Sequence, residues 1–361
     1  MAVLGVTISP GITIPPGVTI STPVAYAVAV AHNTTPFVTA YTWTAAGGFG
    51  TKYSNPTTLP AAGGNGVAFS PAGNAIAVAH ATSPFVTAYP WNYVTGFGTK
   101  YSDPGTLPTN AGQGITFSPS GNAIAVAHSG TPYIAAYAWT YASGFGTKYS
   151  NPGTLATGVG AGVAFSPAEN AIALAHVTSP YVTAYPWNSS TGFGTKYTNP
   201  GTLPGGNGTG VAFSPAGDAI AVAHSGTPYI AAYAWTYASG FGTKYSNPAS
   251  LPPTGVGYGV AFSPAGNAVA LSTNWASTPI AAWTWNSSTG FGTRYSDPAT
   301  IPSGNGYGIA FSPAGDAIAI AESATPYVDA YPWNSSTGFG TKYSNPSTLP
   351  PSIGNGIAFS P

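Results

Sequence analysis

One repeat constrains this chain more than any other feature. The string GFGTKYS, or a close variant, begins at Gly48, Gly96, Gly144, Gly192, Gly240, Gly290 and Gly338. Successive copies lie 48 residues apart, except for one interval of 50. A second string, AFSP or TFSP, keeps step with it and places Phe at 69, 117, 165, 213, 262, 311 and 359. Inside one unit, GVAFSP (66–71), AIAVAH (75–80), FVTAYPW (85–91) and GFGTKYS (96–102) read as four short strands. Pro, Gly and Asn between them supply turn geometry. No segment carries a helical period over ten or more residues. Four strands in a period of about 40–50 residues mark one blade of a propeller.

The pattern therefore predicts an all-β fold: a seven-bladed β-propeller of four-stranded antiparallel blades. The second strand supplies a physical reason. Ala75-Ile76-Ala77-Val78-Ala79 has no polar face, so both faces must be covered. Ile and Val point one way and Ala the other, which lets the bulky face of one blade meet the small face of the next. The repeat opens at Val24, in phase with the residue after FSP, and the chain ends at Pro361 just after GIAFS. Residues 24–361 thus hold seven units with two residues over. The C-terminal strand around Ile357-Ala358-Phe359 is expected to complete the first blade, which removes two raw sheet edges. Gly17-Val18-Thr19-Ile20-Ser21 competes for the same slot. Residues 1–23 carry a six-residue repeat (GVTISP, GITIPP, GVTIST) and read as a β-rich arm that docks on a neighbouring protein.

GVAFSPAGNAIAVAH…SPYVTAYPW resembles a WD-repeat-like propeller unit. Its FSPAGN turn is similar to that family's FSPDG turn, and Trp91 ends the third strand where the family has Trp-Asp. Here Asn or Thr follows every repeat Trp, and the family's Gly-His before the first strand is absent. The phrases H-x-TSP-F/Y-V-T-A-Y and NP-x-TLP are similar to repeats among bacteriophage structural proteins. That resemblance implies a non-enzymatic virion structural or attachment protein, a phage tail or fibre component. Its partners would be other virion proteins, reached through the arm, and a host-surface glycan or protein. The alternative is a lectin-like propeller, secreted or on a cell surface.

Composition narrows the chemistry. Charged residues are 4% of the chain and net charge is zero. Nucleic-acid binding is not expected, since too few cations exist to displace a counterion layer. No apolar run approaches the length that spans a bilayer, so membrane insertion is not expected either. Absence of Cys excludes disulfides and thiolate metal sites. No cofactor motif is present. A surface so poor in ion pairs is expected to withstand changes of pH and salt.

All seven cations (Lys52, Lys100, Lys148, Lys196, Lys244, Arg294 and Lys342) share one repeat position. On an outermost strand they read as guards against sheet extension. His32, His80, His128, His176 and His224 end the second strand of five units. Equivalent residues on blades about 10 Å apart cannot share a zinc ion. They read as structural, capping a turn or bonding across blades, with a pH-sensitive rim as the functional reading. Asp218, Asp316, Asp103 and Asp297 stand in for turn Asn, and Glu169 for a turn Gly. Five Asn fit N-x-S/T: 33, 188, 207, 286 and 334. The symmetry breaks in units six and seven. There Thr273 and Glu322 replace the His, Asp329 adds a carboxylate, and Thr273-Asn274-Trp275 enter a loop read as carrying the two extra residues. An exposed loop Trp could stack on a sugar or partner. Thr273, Asn274, Trp275, Glu322 and Asp329 are the candidate binding residues; no catalytic or metal-ligating set is expected.

Overall fold

The apolar second strands dictate the architecture. In the computed structural model, which describes residues 26–252, 255–275 and 277–361, they lie wholly inside, between neighbouring sheets. Seven four-stranded antiparallel sheets form the described residues, without a helix. Ala27, Ala29 and Ala31 of blade one pack on Ile76 and Val78 of blade two. Ala75, Ala77 and Ala79 pack on Ile124 and Val126 of blade three. The series ends with Ala317, Ala319 and Ala321 of blade seven against Val28 and Val30 of blade one. The small-to-large interdigitation thus runs once around the ring and meets itself.

Closure occurs inside blade one. Strand Gly354–Phe359 pairs antiparallel with Tyr26–His32, in the register Val28↔Phe359, Ala29↔Ala358, Val30↔Ile357. Ser360 donates its backbone N–H to the Ala27 carbonyl at 2.8 Å, and its Oγ accepts the Ala27 N–H at 2.7 Å. The arm at 1–23 and the rival strand at 17–21 lie outside the described residues.

Aromatic side chains rivet blade to blade. Trp91 sits edge-on to Phe69 and Phe97 of its own blade and to Tyr53 of the preceding one, with ring centroids 4.8–5.1 Å apart. Trp43 repeats this across the seam with Phe359, Phe49 and Tyr343. Such edge contacts contribute about 0.5–1.5 kcal/mol each beyond burial. The same Tyr then reaches over: Tyr53 donates its hydroxyl to the Tyr93 carbonyl at 2.7 Å, and Tyr343 to that of Ala45 at 2.5 Å.

The fourth strand departs from the seven-residue expectation. Blades one, three, five and six have five residues there, as in Gly48–Lys52 and Gly144–Lys148. Blades two, four and seven have two: Gly96–Phe97, Gly192–Phe193 and Gly338–Phe339. The third strand explains the difference. The residue just before its Trp is Pro90, Pro186 or Pro332 in the short cases and Thr42, Ala138, Ala234 or Thr284 in the long ones. Proline offers no N–H to the ladder. Only its carbonyl is used, as in Gly98 N–H to Pro90 O at 2.8 Å.

The cations are not exposed guards. Lys52 and Lys148 fold down on Asn55 and Asn151 at 2.5 Å, and Lys196 and Lys244 do the same on Asn199 and Asn247. Lys100 and Arg294 pair with Asp103 and Asp297 at 2.5 Å. Asp218 and Asp316 behave as turn residues, each accepting from the Ser four positions before it.

Candidate functional site

Each inner strand opens on Gly-x-Gly, and each suffers a register slip there, as between Gly64 and Gly66 or Gly112 and Gly114. A bulge re-aims the extra residue. Here it turns that residue to the axis, where the seven enclose a cavity of about 450 Å³. Blades one to three contribute Asn355, Asn65 and Gln113; blades four to seven contribute Ala161, Thr209, Tyr258 and Tyr307. The second glycine permits the approach. A Cβ on Gly114 would stand 2.8 Å from Ala161 O and 3.2 Å from Gly162 Cα, both backbone. Side chains clasp the next blade's first glycine: Asn65 Nδ2 donates to Gly112 O at 2.7 Å, Thr209 Oγ1 to Gly257 O at 2.5 Å and Asn355 Nδ2 to Gly64 O at 2.8 Å. Tyr258 and Tyr307 meet edge-on, centroids 4.9 Å apart. The lining carries no carboxylate and no cation.

One strand out, the ends of the second strands surround this mouth, because His80 lies opposite Gly64 and Glu322 opposite Gly306. The five His are fully buried. In blades one, two and four Nε2 meets a third-strand hydroxyl: Thr39, Thr87 and Thr183, at 2.8–2.9 Å. In blades three and five the corresponding residue is Ala135 or Ala231. The bond stays within a blade rather than crossing to the next. Burial pushes all five pKa values down to about 4. They are neutral at pH 7, so these five do not titrate near neutrality.

Blade seven fills the same two positions with Glu322 and Asp329, 0% and 1% exposed. Glu322 Oε2 accepts the Gly304 N–H at 2.7 Å and lies 3.4 Å from the hydroxyl of Ser303, an exposed residue. Asp329 stands near Glu322 on the adjoining strand, and its Oδ1 lies 2.6 Å from Lys342 Nζ. Lys342 thereby differs from the other lysines, which bond three residues along their own strand end. Burial, with Asp329 as the next cause, raises Glu322 to about 7. Burial raises Asp329 as well, against the pull of Lys342. Two buried carboxyls and one ammonium are electrically balanced when the pair holds a single proton.

The other candidates do not join this cluster. Thr273 Oγ1 donates to Thr278 O at 2.8 Å, and Asn274 Oδ1 accepts the Val256 N–H at 2.6 Å. Trp275 is half-buried, with its indole nitrogen inside, so it is no open stacking platform. The two extra residues of unit six are divided. Strand Gly257–Phe262 already starts 49 residues after Gly208–Phe213, so one precedes the inner strand and one enters the Asn274 loop. The sector is still contiguous, since a Cβ on Gly306 would lie 3.2 Å from Ser272 Cβ. Ser272 escaped sequence reasoning. Its hydroxyl accepts the Gly259 N–H at 2.8 Å and donates to Tyr307 O at 2.5 Å, tying blade six to blade seven beside the mouth. The signal was a lone hydroxyl inside a strand that is Ala at that place in the other blades. The adjacent Tyr258 and Tyr307 at one repeat position were a second signal.

No family model matches the chain, and no curated protein matches it in sequence. Solved structures do match in shape. A candidate 6-phosphogluconolactonase from Bacteroides uniformis is 13% identical, with a TM-score of 0.73 over 93% of this chain and 99% of that one. A second, from Bacteroides fragilis, is 14% identical at 0.74, over 93% and 98%. The periplasmic gluconolactonase of Pseudomonas aeruginosa is 13% identical at 0.72, over 93% and 99%. At such identity the likeness establishes the fold. It also corrects the expectation of a non-enzymatic virion attachment protein or lectin: these three rings are described as lactonases.

Proposed function

We propose that the chain is a lactonase-type hydrolase, acting on a cyclic ester at the end of the ring where the inner strands begin. The observation that carries the reading is the Glu322–Asp329–Lys342 cluster. It is the one place among the described residues where the His position bears a carboxylate, and it sits against the strand that delivers Tyr307 to the mouth. The names of the three similar rings support the choice of reaction. A base with a pKa near the working pH is best suited to proton transfer, and Glu322 at about 7 meets that demand.

In this reaction water adds to the lactone carbonyl carbon while its proton is relayed to the Glu322 carboxylate, which is buried behind the cavity wall rather than lining it. The tetrahedral intermediate collapses, the ring C–O bond breaks, and the ring oxygen takes the proton back. The hydroxy acid then loses its own acidic proton to solvent. Lys342 pulls Asp329 toward its ionised form against the effect of burial, and the pair supplies a carboxylate base once it gives up its one proton. The rate should therefore rise as pH increases through about 7. The test is pH-stat hydrolysis of D-glucono-1,5-lactone above its spontaneous rate. Glu322→Gln should lower kcat by about 10²–10⁴-fold. Asp329→Asn removes the like charge and should move the pH inflection downward. No acceleration by the native chain, or full activity of Glu322→Gln, refutes the reading.

A further inference from the structure

Two of the three similar rings are described as acting on a phosphorylated lactone and the third on an unphosphorylated one. The geometry here separates those alternatives. A phosphate bound at a protein surface needs cations, oriented N–H groups at a helix end, or both. The chain has seven Lys and Arg in all. Each sits at or just past the outer strand, and each is held by its own partner: Asn55, Asn151, Asn199 and Asn247 for four lysines, Asp103 and Asp297 for Lys100 and Arg294, and Asp329 for Lys342. The mouth is three strands inward. No helix exists among the described residues to lend its N-terminus. The histidines that ring the mouth are buried and neutral at pH 7. The charges closest to the mouth are the carboxyls of blade seven.

What the mouth offers is the chemistry of a neutral polyol. Gln113 presents its amide, and Asn65, Thr209 and Asn355, whose donors hold the next blade, keep their oxygens to accept from ligand hydroxyls. Tyr258 and Tyr307 present ring edges and faces, which suit the C–H surface of a sugar ring. A cavity of about 450 Å³ is ample for one monosaccharide. From the mouth's neutral lining, and from the engagement of all seven cations elsewhere, we infer that the substrate is an uncharged sugar lactone and that its phosphorylated counterpart is rejected. A dianion there would lose hydration without gaining a counter-charge.

This inference rests on the lactonase reading for its reaction but not for its binding site, so two measurements separate them. The first compares hydrolysis of glucono-1,5-lactone and 6-phosphoglucono-1,5-lactone. The expected kcat/KM favours the unphosphorylated lactone by at least tenfold. The second measures calorimetric binding of the two corresponding lactams, which cannot be hydrolysed, with the same preference expected. Lactam binding without hydrolysis sinks the reaction and leaves the substrate class standing. Preference for the phosphorylated compound in either assay, or binding of neither lactam, overturns the inference. Ala161→Lys supplies the missing charge on the ring residue whose side chain is only a methyl. It should shift the lactam preference at least tenfold toward the phosphorylated compound, and an unmoved preference would place the ligand elsewhere.

Discussion

Acid should open this ring, although its surface holds almost no ion pairs. The perturbation is a fall in pH from 7 to 4. Each of the five His has a folded pKa of about 4 against 6.5 when unfolded. Between those values the unfolded chain holds the proton and the folded chain does not. Each His therefore contributes stability that is complete above about 6.5 and is lost as pH falls toward 4. A gap of roughly 2.5 units at about 1.4 kcal/mol per unit gives about 3 kcal/mol per His, or about 17 kcal/mol for five. Glu322 opposes this. Its folded pKa is raised from 4.5 to about 7, so it adds roughly 3 kcal/mol as pH falls through that window. The remainder, at most about 14 kcal/mol because the raised Asp329 opposes the loss in the same sense, is comparable to the whole stability of an ordinary domain, about 5–15 kcal/mol. Urea unfolding at half-unit pH steps should show the midpoint falling steeply below 6.5, and the ring should unfold before pH 4. His224 lacks a hydroxyl partner and has both ring nitrogens unbonded. His224→Gln should therefore flatten the curve by about one fifth. A midpoint constant between pH 6.5 and 4.5, or imidazole resonances titrating above pH 6, would falsify the reasoning. Surface composition predicts pH tolerance and the buried imidazoles predict the opposite, because the protons that matter bind inside.

Two further outcomes test the frame. Gly114→Ala should cost about 1–3 kcal/mol in chemical denaturation, because its Cβ would meet backbone of the next blade, which cannot rotate away; a neutral result would show the inner strands are not in contact. Pro90→Ala should extend the two-residue outer strand of blade two toward the five residues of blade three, read as slowed hydrogen exchange over residues 98–100; unchanged exchange would mean the proline is not what shortens it.

Most of the fold was legible because the repeat acts as seven trials of one design. Period and phase counted the blades and placed the strand around Ile357-Ala358-Phe359 in blade one, and alternating Ala and Ile/Val in the second strand foretold how sheets stack. The fourth strand was misjudged because one missing N–H, at Pro90, Pro186 or Pro332, outweighs an otherwise identical segment. At the site, Glu322 and Asp329 stood out against the repeat, yet their meaning did not. Spacing cannot say that Lys342 abandons its own turn for Asp329, nor that residues at the His position are sealed from water. The cations were misread for the same reason: a lysine written on an outer strand looks free until its Asn partner is seen three residues later.

The seam in blade one has a mechanical consequence. Tyr26–His32 and Gly354–Phe359 run antiparallel, with the start of the former beside the end of the latter. Tyr26 and Ser360 therefore lie side by side, at the end of blade one away from the channel mouth. Traction on those two residues would load the rungs one after another, like a zip, instead of shearing them all at once. The ring should thus yield to a gentle pull at its ends while withstanding a far harder one applied across any two of its inner blades.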